Sequence, residues 1–277
     1  MIVEKYKTAA KLIKEADAIA IFAGAGMGVD SGLDQFRGKD GVWTKNIEID
    51  GHNIAYYDLM THKAFVEMPS KAWALIASLT NKFNDTRPHE GYNYLLEMIK
   101  DKEYFVVTSN CDEHFQKAGF IEMNILECHG SIYYMQCMDI VEEEIWVTPE
   151  ITLDSEKFDV IGFLPKCPNC DSNCRPNVLL FGDWFWRSDK SSHQQIRYNQ
   201  WKRIVKEKYK NILAIEIGVG KTIPTVRIAS ENFSNDTYPL IRINPHDSET
   251  VSGNQISLPF GAKQCLINIY ELFNNLS

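Results

Sequence analysis

Three places in this 277-residue chain set chemically capable side chains at the end of an apolar run. Ala18-Ile-Ala-Ile-Phe-Ala23 leads into Gly24-Ala25-Gly26-Met27-Gly28, Tyr104-Phe-Val-Val-Thr108 into Ser109-Asn110-Cys111-Asp112, and Ile125-Leu-Glu-Cys128 into His129-Gly130-Ser131. Short apolar runs of this kind read as buried parallel strands, and open parallel sheets bind ligands beyond the carboxyl ends of their strands. Glycines allow main chain to approach a ligand closely, and unpaired amides at the start of a following helix suit a phosphate. A nucleotide or dinucleotide is the ligand class implied. Gly-x-Gly-x-Gly is not the full dinucleotide-binding spacing, so a plain strand-to-helix turn accounts for it about as well. A lone histidine is more often structural than catalytic. An unperturbed imidazole nevertheless titrates at about 6.5, near cellular pH, which suits a general base. Cys167-Pro-Asn-Cys170, with Cys174 and Cys137 in the same stretch, has the spacing of half a tetrahedral zinc site.

The elements that must carry these groups follow from periodicity. Apolar residues at helical intervals predict an amphipathic helix over 6–16, two helices over 69–80 and 89–99 around the Arg87-Pro88 break, and a basic helix over 195–209. Further strands are expected over 211–218 and 239–244, with a last helix after Pro259 to Gly261. Residues 41–64 show no clear period and read as a long loop with short helices, suited to a flap over a ligand. Strands alternating with helices predict an α/β fold with a doubly wound, Rossmann-like parallel sheet in a single domain over 1–277. A composition shift marks a smaller cysteine-bearing module inserted over 132–175.

Composition bounds the rest. Apolar residues make up 44% and charged residues 24%, enough for an ordinary core. A formal charge of -8 argues against a broad nucleic-acid or anionic-membrane surface. Seven cysteines cannot all pair within one chain, and the opening residues do not read as a leader, so a reduced cytoplasmic setting is expected. No apolar run approaches bilayer length. Nothing in the sequence fixes the oligomeric state.

Taken together the motifs resemble those of the sirtuin family, in a divergent, bacterial-type form. Ser31-Gly32 and Phe36-Arg37-Gly38 are similar to the end of the family run Ser-Gly-Ile-Pro-Asp-Phe-Arg, with Asp34 and Gln35 at the proline and aspartate positions. Arg37 suits phosphate oxygens in a planar, two-pronged way. Pro88-His89-Glu90-Gly91-Tyr92 lacks the family's histidine at its usual place. Ser109-Asn110-Cys111-Asp112 resembles Gln-Asn-Ile-Asp, and His129-Gly130 the catalytic histidine and its glycine. Arg175-Pro-Asn-Val-Leu-Leu-Phe-Gly-Asp183 resembles the run beside the acyl-lysine tunnel, where Trp184, Phe185 and Trp186 would narrow the tunnel or join the core. Gly218-Val219-Gly220 stands where the family has Gly-Thr-Ser. Asn244 and the Gly261-Ala262-Lys263 turn match positions that face the adenosine ribose and adenine.

The resemblance implies an NAD-dependent protein lysine deacylase. Its catalytic residues would be His129, Asn110 and Asp112. Gly24, Ala25, Gly26, Phe36, Arg37, Ser109, Gly218, Val219, Asn244 and Ala262 would join Asn110 and Asp112 against NAD, and Val178, Phe181 and Gly182 would meet the acylated lysine of a protein. The family's zinc site would take Cys137, Cys167 and Cys170. Ile140 occupies the fourth position, so the site is one ligand short unless Cys174 or a residue from elsewhere completes it, and substoichiometric or absent zinc is expected. Two alternatives remain open: an NAD hydrolase or mono-ADP-ribosyltransferase using the same NAD-cleaving site, and a module that binds NAD or ADP-ribose without turnover.

Overall fold

The computed structural model describes residues 2–36, 41–49, 51–139, 144–235, 237–250 and 253–276. In chain order the elements are α1 (Ile2–Glu15), β1 (Ala18–Ala23), β2 (Asn46–Ile49), β3 (His52–Ala55), α2 (Tyr56–Leu59), α3 (His62–Glu67), α4 (Pro69–Asp85), α5 (Glu90–Ile99), β4 (Glu103–Thr108), α6 (His114–Lys117), β5 (Ile125–Glu127), β6 (Gly130–Cys137), β7 (Ile145–Val147), β8 (Thr152–Asp154), β9 (Asp159–Ile161), β10 (Cys174–Val178), α7 (Asp189–Lys208), β11 (Ile212–Ile217), α8 (Thr225–Ser234), β12 (Leu240–Ile243), β13 (Gln255–Leu258) and α9 (Ala262–Asn274). They form two compact units, Met1–Gly32 with Arg87–Cys128 and Ser191–Ser277, and Leu33–Thr86 with His129–Lys190.

The first unit is built on a parallel sheet in the order β13-β12-β11-β1-β4-β5. Every residue of β1 and β11 is buried, as runs without polar alternation require of strands covered on both faces. Ile19, Ile21 and Ala23 pack with Ile13 of α1, Leu95 and Ile99 of α5 and Leu266 of α9. Ala18, Ala20 and Phe22 pack on the other face with Tyr198 and Val205 of α7 and Phe233 of α8. Each fully buried aliphatic or phenyl side chain is worth roughly 1.5–3 kcal/mol relative to exposure, so these two layers fix the strand ends that carry the polar groups. The chain leaves β1 for β4 and β5 on one side and returns to β11, β12 and β13 on the other. The winding therefore reverses between β1 and β11, where doubly wound sheets leave a crevice.

The second unit holds the antiparallel sheet β10-β6-β7, two hairpins and the helices α2, α3 and α4. Trp73 on α4 donates its indole N–H to the Cys174 carbonyl at 2.9 Å, tying the helix to β10. Where the sequence predicts only loop and short helices over 41–64, β2 pairs with β3 around Gly51, whose φ is +76°. No helix among the described residues is long and apolar enough to cross a membrane.

Candidate active site

In the first unit the glycine turn sits against the end of β11, and backbone packing explains two of its glycines. A Cβ on Gly24 would lie 2.7 Å from the Gly218 carbonyl oxygen and one on Gly26 2.6 Å from the Gly218 Cα. Gly218 itself has φ +65°, and a Cβ there would meet the Gly26 carbonyl carbon at 2.3 Å. Gly26 N–H donates to Gly218 O, and Gly24 N–H to Ile217 O. The helix expected after the turn is replaced by two single 3₁₀ turns, Ala25–Met27 and Val29–Ser31. With Gly26 and Gly28 bound into tight turns there is no α-helix start here, so the dipole argument for phosphate does not apply. Ser31 serves α5 instead, accepting the His89 N–H at 2.9 Å. His89 caps that helix: Gly91 N–H donates to its Nδ1 at 3.0 Å and its Nε2 bonds Met27 O at 2.9 Å, which sets the tautomer. Burial pulls its pKa down, keeping the ring neutral.

The end of β4 is joined to this turn. Ser109 N–H donates to Ala23 O, and Asn110 Nδ2 to Gly24 O at 3.1 Å. Thr108, unnoticed in the sequence, bridges them: its hydroxyl donates to Ala23 O and accepts the Asn110 N–H. Asp112, 5% exposed, accepts the His114 N–H on Oδ1. Burial raises its pKa to about 6 against the pull of that bond and of Lys117. At the neighbouring strand ends, Asn244 is buried and already employed, with Nδ2 donating to Val219 O and Oδ1 accepting the His246 and Asp247 N–H groups. Ala262 opens α9, where Asp30 accepts the Lys263 N–H. Gly24, Ala25, Gly26, Ser109, Asn110, Asp112, Gly218, Val219, Asn244 and Ala262 therefore all lie at the turn-side end of one sheet. Below them Tyr92 is wholly buried with its hydroxyl lacking a partner among the described residues. Tyr92→Phe is expected to keep or raise thermal stability, by about 1 kcal/mol, because it removes an unsatisfied group; a clear fall in melting temperature would reveal a bond to that hydroxyl.

In the second unit His129 is half-buried just before β6, and its carbonyl accepts the Leu179 N–H at 3.0 Å. Gly130 is required there, since φ is +78° and a Cβ would come within 2.2 Å of Asn177 O. Val178 pairs with Gly130 across the β6–β10 ladder. Phe181 stacks on Tyr57 at 4.0 Å and meets Trp43 edge-on, while Trp43 stacks on Phe36, so two predicted contacts share one aromatic cluster. Gly182 is exposed with φ +61°. The turn from 180 to 185 is held by Asp183, which pairs with buried Arg175 at 2.6 Å and accepts the Leu180 and Phe185 N–H groups. The aromatic triplet is divided in its exposure, with Trp186 partly buried. Trp184 is 92% exposed, so this side chain does not join a core, and Phe185 lies half-exposed against His62. Arg37 falls outside the described residues.

Cys137, Cys167 and Cys170 bring their sulfurs within 4.8 Å of one another, an arrangement that fits three positions of a tetrahedral zinc site. Cys174, offered as a fourth ligand, stands outside this trio, buried at the start of β10 opposite Cys137. Ile140 lies outside the described residues. Hydrogen bonds from Ser172 lower the pKa of exposed Cys170, whereas burial raises that of Cys137. Elemental analysis of purified protein is expected to return well under one zinc per chain; one zinc per chain would show that a further donor completes the trio.

A parallel sheet whose polar strand ends gather at its winding reversal defines an α/β protein of the Rossmann type. The model of the Sir2 family matches residues 24–205, and the chain belongs to that family. It is 34% identical over 185 residues to a protein of Pyrococcus abyssi and 32% identical over 178 to one of Pyrococcus furiosus, both named NAD-dependent protein deacylase. These matches cover 66% and 62% of this chain and span 66% and 63%, just under two thirds, of the relatives. A crystal structure of a Sir2 homolog–NAD complex superimposes with a TM-score of 0.72 at 23% identity, over 98% of this chain and 95% of that one, which establishes the shared fold.

Proposed function

We propose that this protein is an NAD-dependent lysine deacylase that moves the acyl group of an acylated protein to ADP-ribose and releases nicotinamide. The observation that carries this reading is the joining of Asn110 to the glycine turn through Gly24 O, beside an Asp112 whose carboxyl pKa burial raises to about 6. In this reading NAD is a substrate: its bond to nicotinamide breaks as the acyl oxygen bonds to the ribose. Asn110 keeps Oδ1 for a ribose hydroxyl, Asp112 holds the ribose and the attacking water, and His129 removes a ribose hydroxyl proton so that the acyl group can migrate. Phe36 and Arg37 belong to the dinucleotide side, and Val178, Phe181 and Gly182 to the acyl-lysine side, where an extended peptide would take affinity from main-chain bonds. A cytoplasmic setting is part of the proposal, in keeping with seven free cysteines.

NAD hydrolysis or ADP-ribosyl transfer would use the same first step with another nucleophile. Asp34, Gln35 and Ser109, which depart from the family runs, are the residues that favour this second reading. Incubation with a panel of acyl-lysine peptides, with and without NAD, tests the proposal by mass spectrometry. Loss of an acyl group in the presence of NAD alone is expected; peptides left intact across the panel would contradict it.

A further inference from the structure

Two loops assigned above to NAD, one after β11 and one after β12, rest on a cluster of buried charge. Glu216 on β11 is wholly buried. Arg242 on β12 donates from Nε to its Oε1 at 2.8 Å, and Arg227 on α8 brings Nη2 within 3.3 Å of the same oxygen. Ser230, three residues beyond Arg227, donates its hydroxyl to Oε2. Both arginines also donate to loop carbonyls. Arg227 Nη2 reaches Val219 O at 2.6 Å and Asp247 O at 2.8 Å, and Arg242 Nη1 reaches Glu249 O. Asn244 Nδ2 shares Val219 O. The two loops are thereby tied to each other and to one carboxylate.

A buried ion cluster is a weak source of stability, because desolvation offsets the attraction and well-packed apolar side chains would do as well. Charge-assisted hydrogen bonds fix geometry. Geometry is what this site needs, since Val219 and Gly220 supply no side-chain hydroxyl and leave the main chain to meet the ligand. We propose that Arg227, seated on Glu216, is a positioning residue for the dinucleotide: by holding the Val219 and Asp247 carbonyls together it sets the main-chain groups of both loops at the spacing the adenosine ribose and phosphate require. This rests on the NAD reading above.

The test compares Arg227→Met, which keeps length and removes every donor, with Arg227→Lys, which keeps the charge and one donor. Calorimetry with ADP-ribose is run at a temperature where circular dichroism shows each variant folded. Arg227→Met is expected to weaken ADP-ribose binding roughly 10- to 100-fold, the scale of one or two charge-assisted bonds. KM for NAD should rise in parallel while KM for an acylated peptide stays, and Arg227→Lys should recover part of the loss. Wild-type affinity for ADP-ribose in Arg227→Met, or equal losses for NAD and peptide, would overturn the proposal. If Arg227→Met does not fold, Arg227→Lys decides alone: unchanged ADP-ribose affinity overturns it and weakening of several-fold supports it. A wild-type protein that binds neither NAD nor ADP-ribose would instead overturn the NAD reading.

Discussion

His129→Ala is expected to lower turnover by roughly 100-fold or more, the usual scale of a lost general base, while the protein still folds and still binds NAD. The structural reason for separating these effects is that two close contacts here are made by main chain. The His129 carbonyl accepts the Leu179 N–H, and the tight approach to Asn177 is made by Gly130, neither of which depends on the imidazole. The half-buried ring leaves little cavity when removed. Nicotinamide release under saturating NAD and peptide measures turnover, calorimetry measures NAD affinity and circular dichroism the fold. Comparable turnover in the variant would remove His129 from the mechanism.

Asp112→Asn is expected to make the protein more stable at alkaline pH and poorer at using NAD. The folded carboxyl titrates at about 6 because it is buried, against 3.8 for the free group. Below 3.8 it is neutral in both states and stability from this group is fully present; as pH rises through 6 the folded state must carry a buried charge, and that stability is lost. The cost above pH 6 is on the order of 3 kcal/mol. Asparagine keeps the oxygen that accepts the His114 N–H and never ionises. The variant should therefore match the wild type near pH 4 and melt several degrees higher near pH 8. KM for NAD should rise about tenfold or more from loss of a charged hydrogen bond. Melting curves at the two pH values, with steady-state kinetics near pH 8, check this; equal melting behaviour at both would show that the buried charge is compensated.

The sheet and most helices were legible because β1 is an unbroken apolar run, β4 and β11 are predominantly apolar, and α1, α4 and α5 keep a helical period. The hairpin over 46–55 was missed although Ile47, Ile49 and Ile54 flank Asp50-Gly51, a two-residue turn signal; its strands are too polar and short to stand out. Strand β13, Gln255–Leu258, is short and mixed in the same way. At the site, several residues have structural reasons that the sequence does not show. Gly24 and Gly26 make room for the backbone of Gly218, nearly two hundred residues away, and no local pattern announces that. The same holds for Glu216, Arg227 and Arg242, whose charges make sense once β11, β12 and α8 are assembled. Trp184 was misjudged because hydrophobicity alone predicts burial, and its neighbour Asp183 turns the chain outward through two main-chain bonds.

The central claim, that the NAD-cleaving site acts on an acylated lysine, is tested most directly by the rate of nicotinamide release from NAD with and without an acyl-lysine peptide. Little release is expected from NAD alone, with strong stimulation by the peptide and O-acyl-ADP-ribose among the products. Fast release of nicotinamide and free ADP-ribose, insensitive to every peptide, would contradict the account and identify a hydrolase.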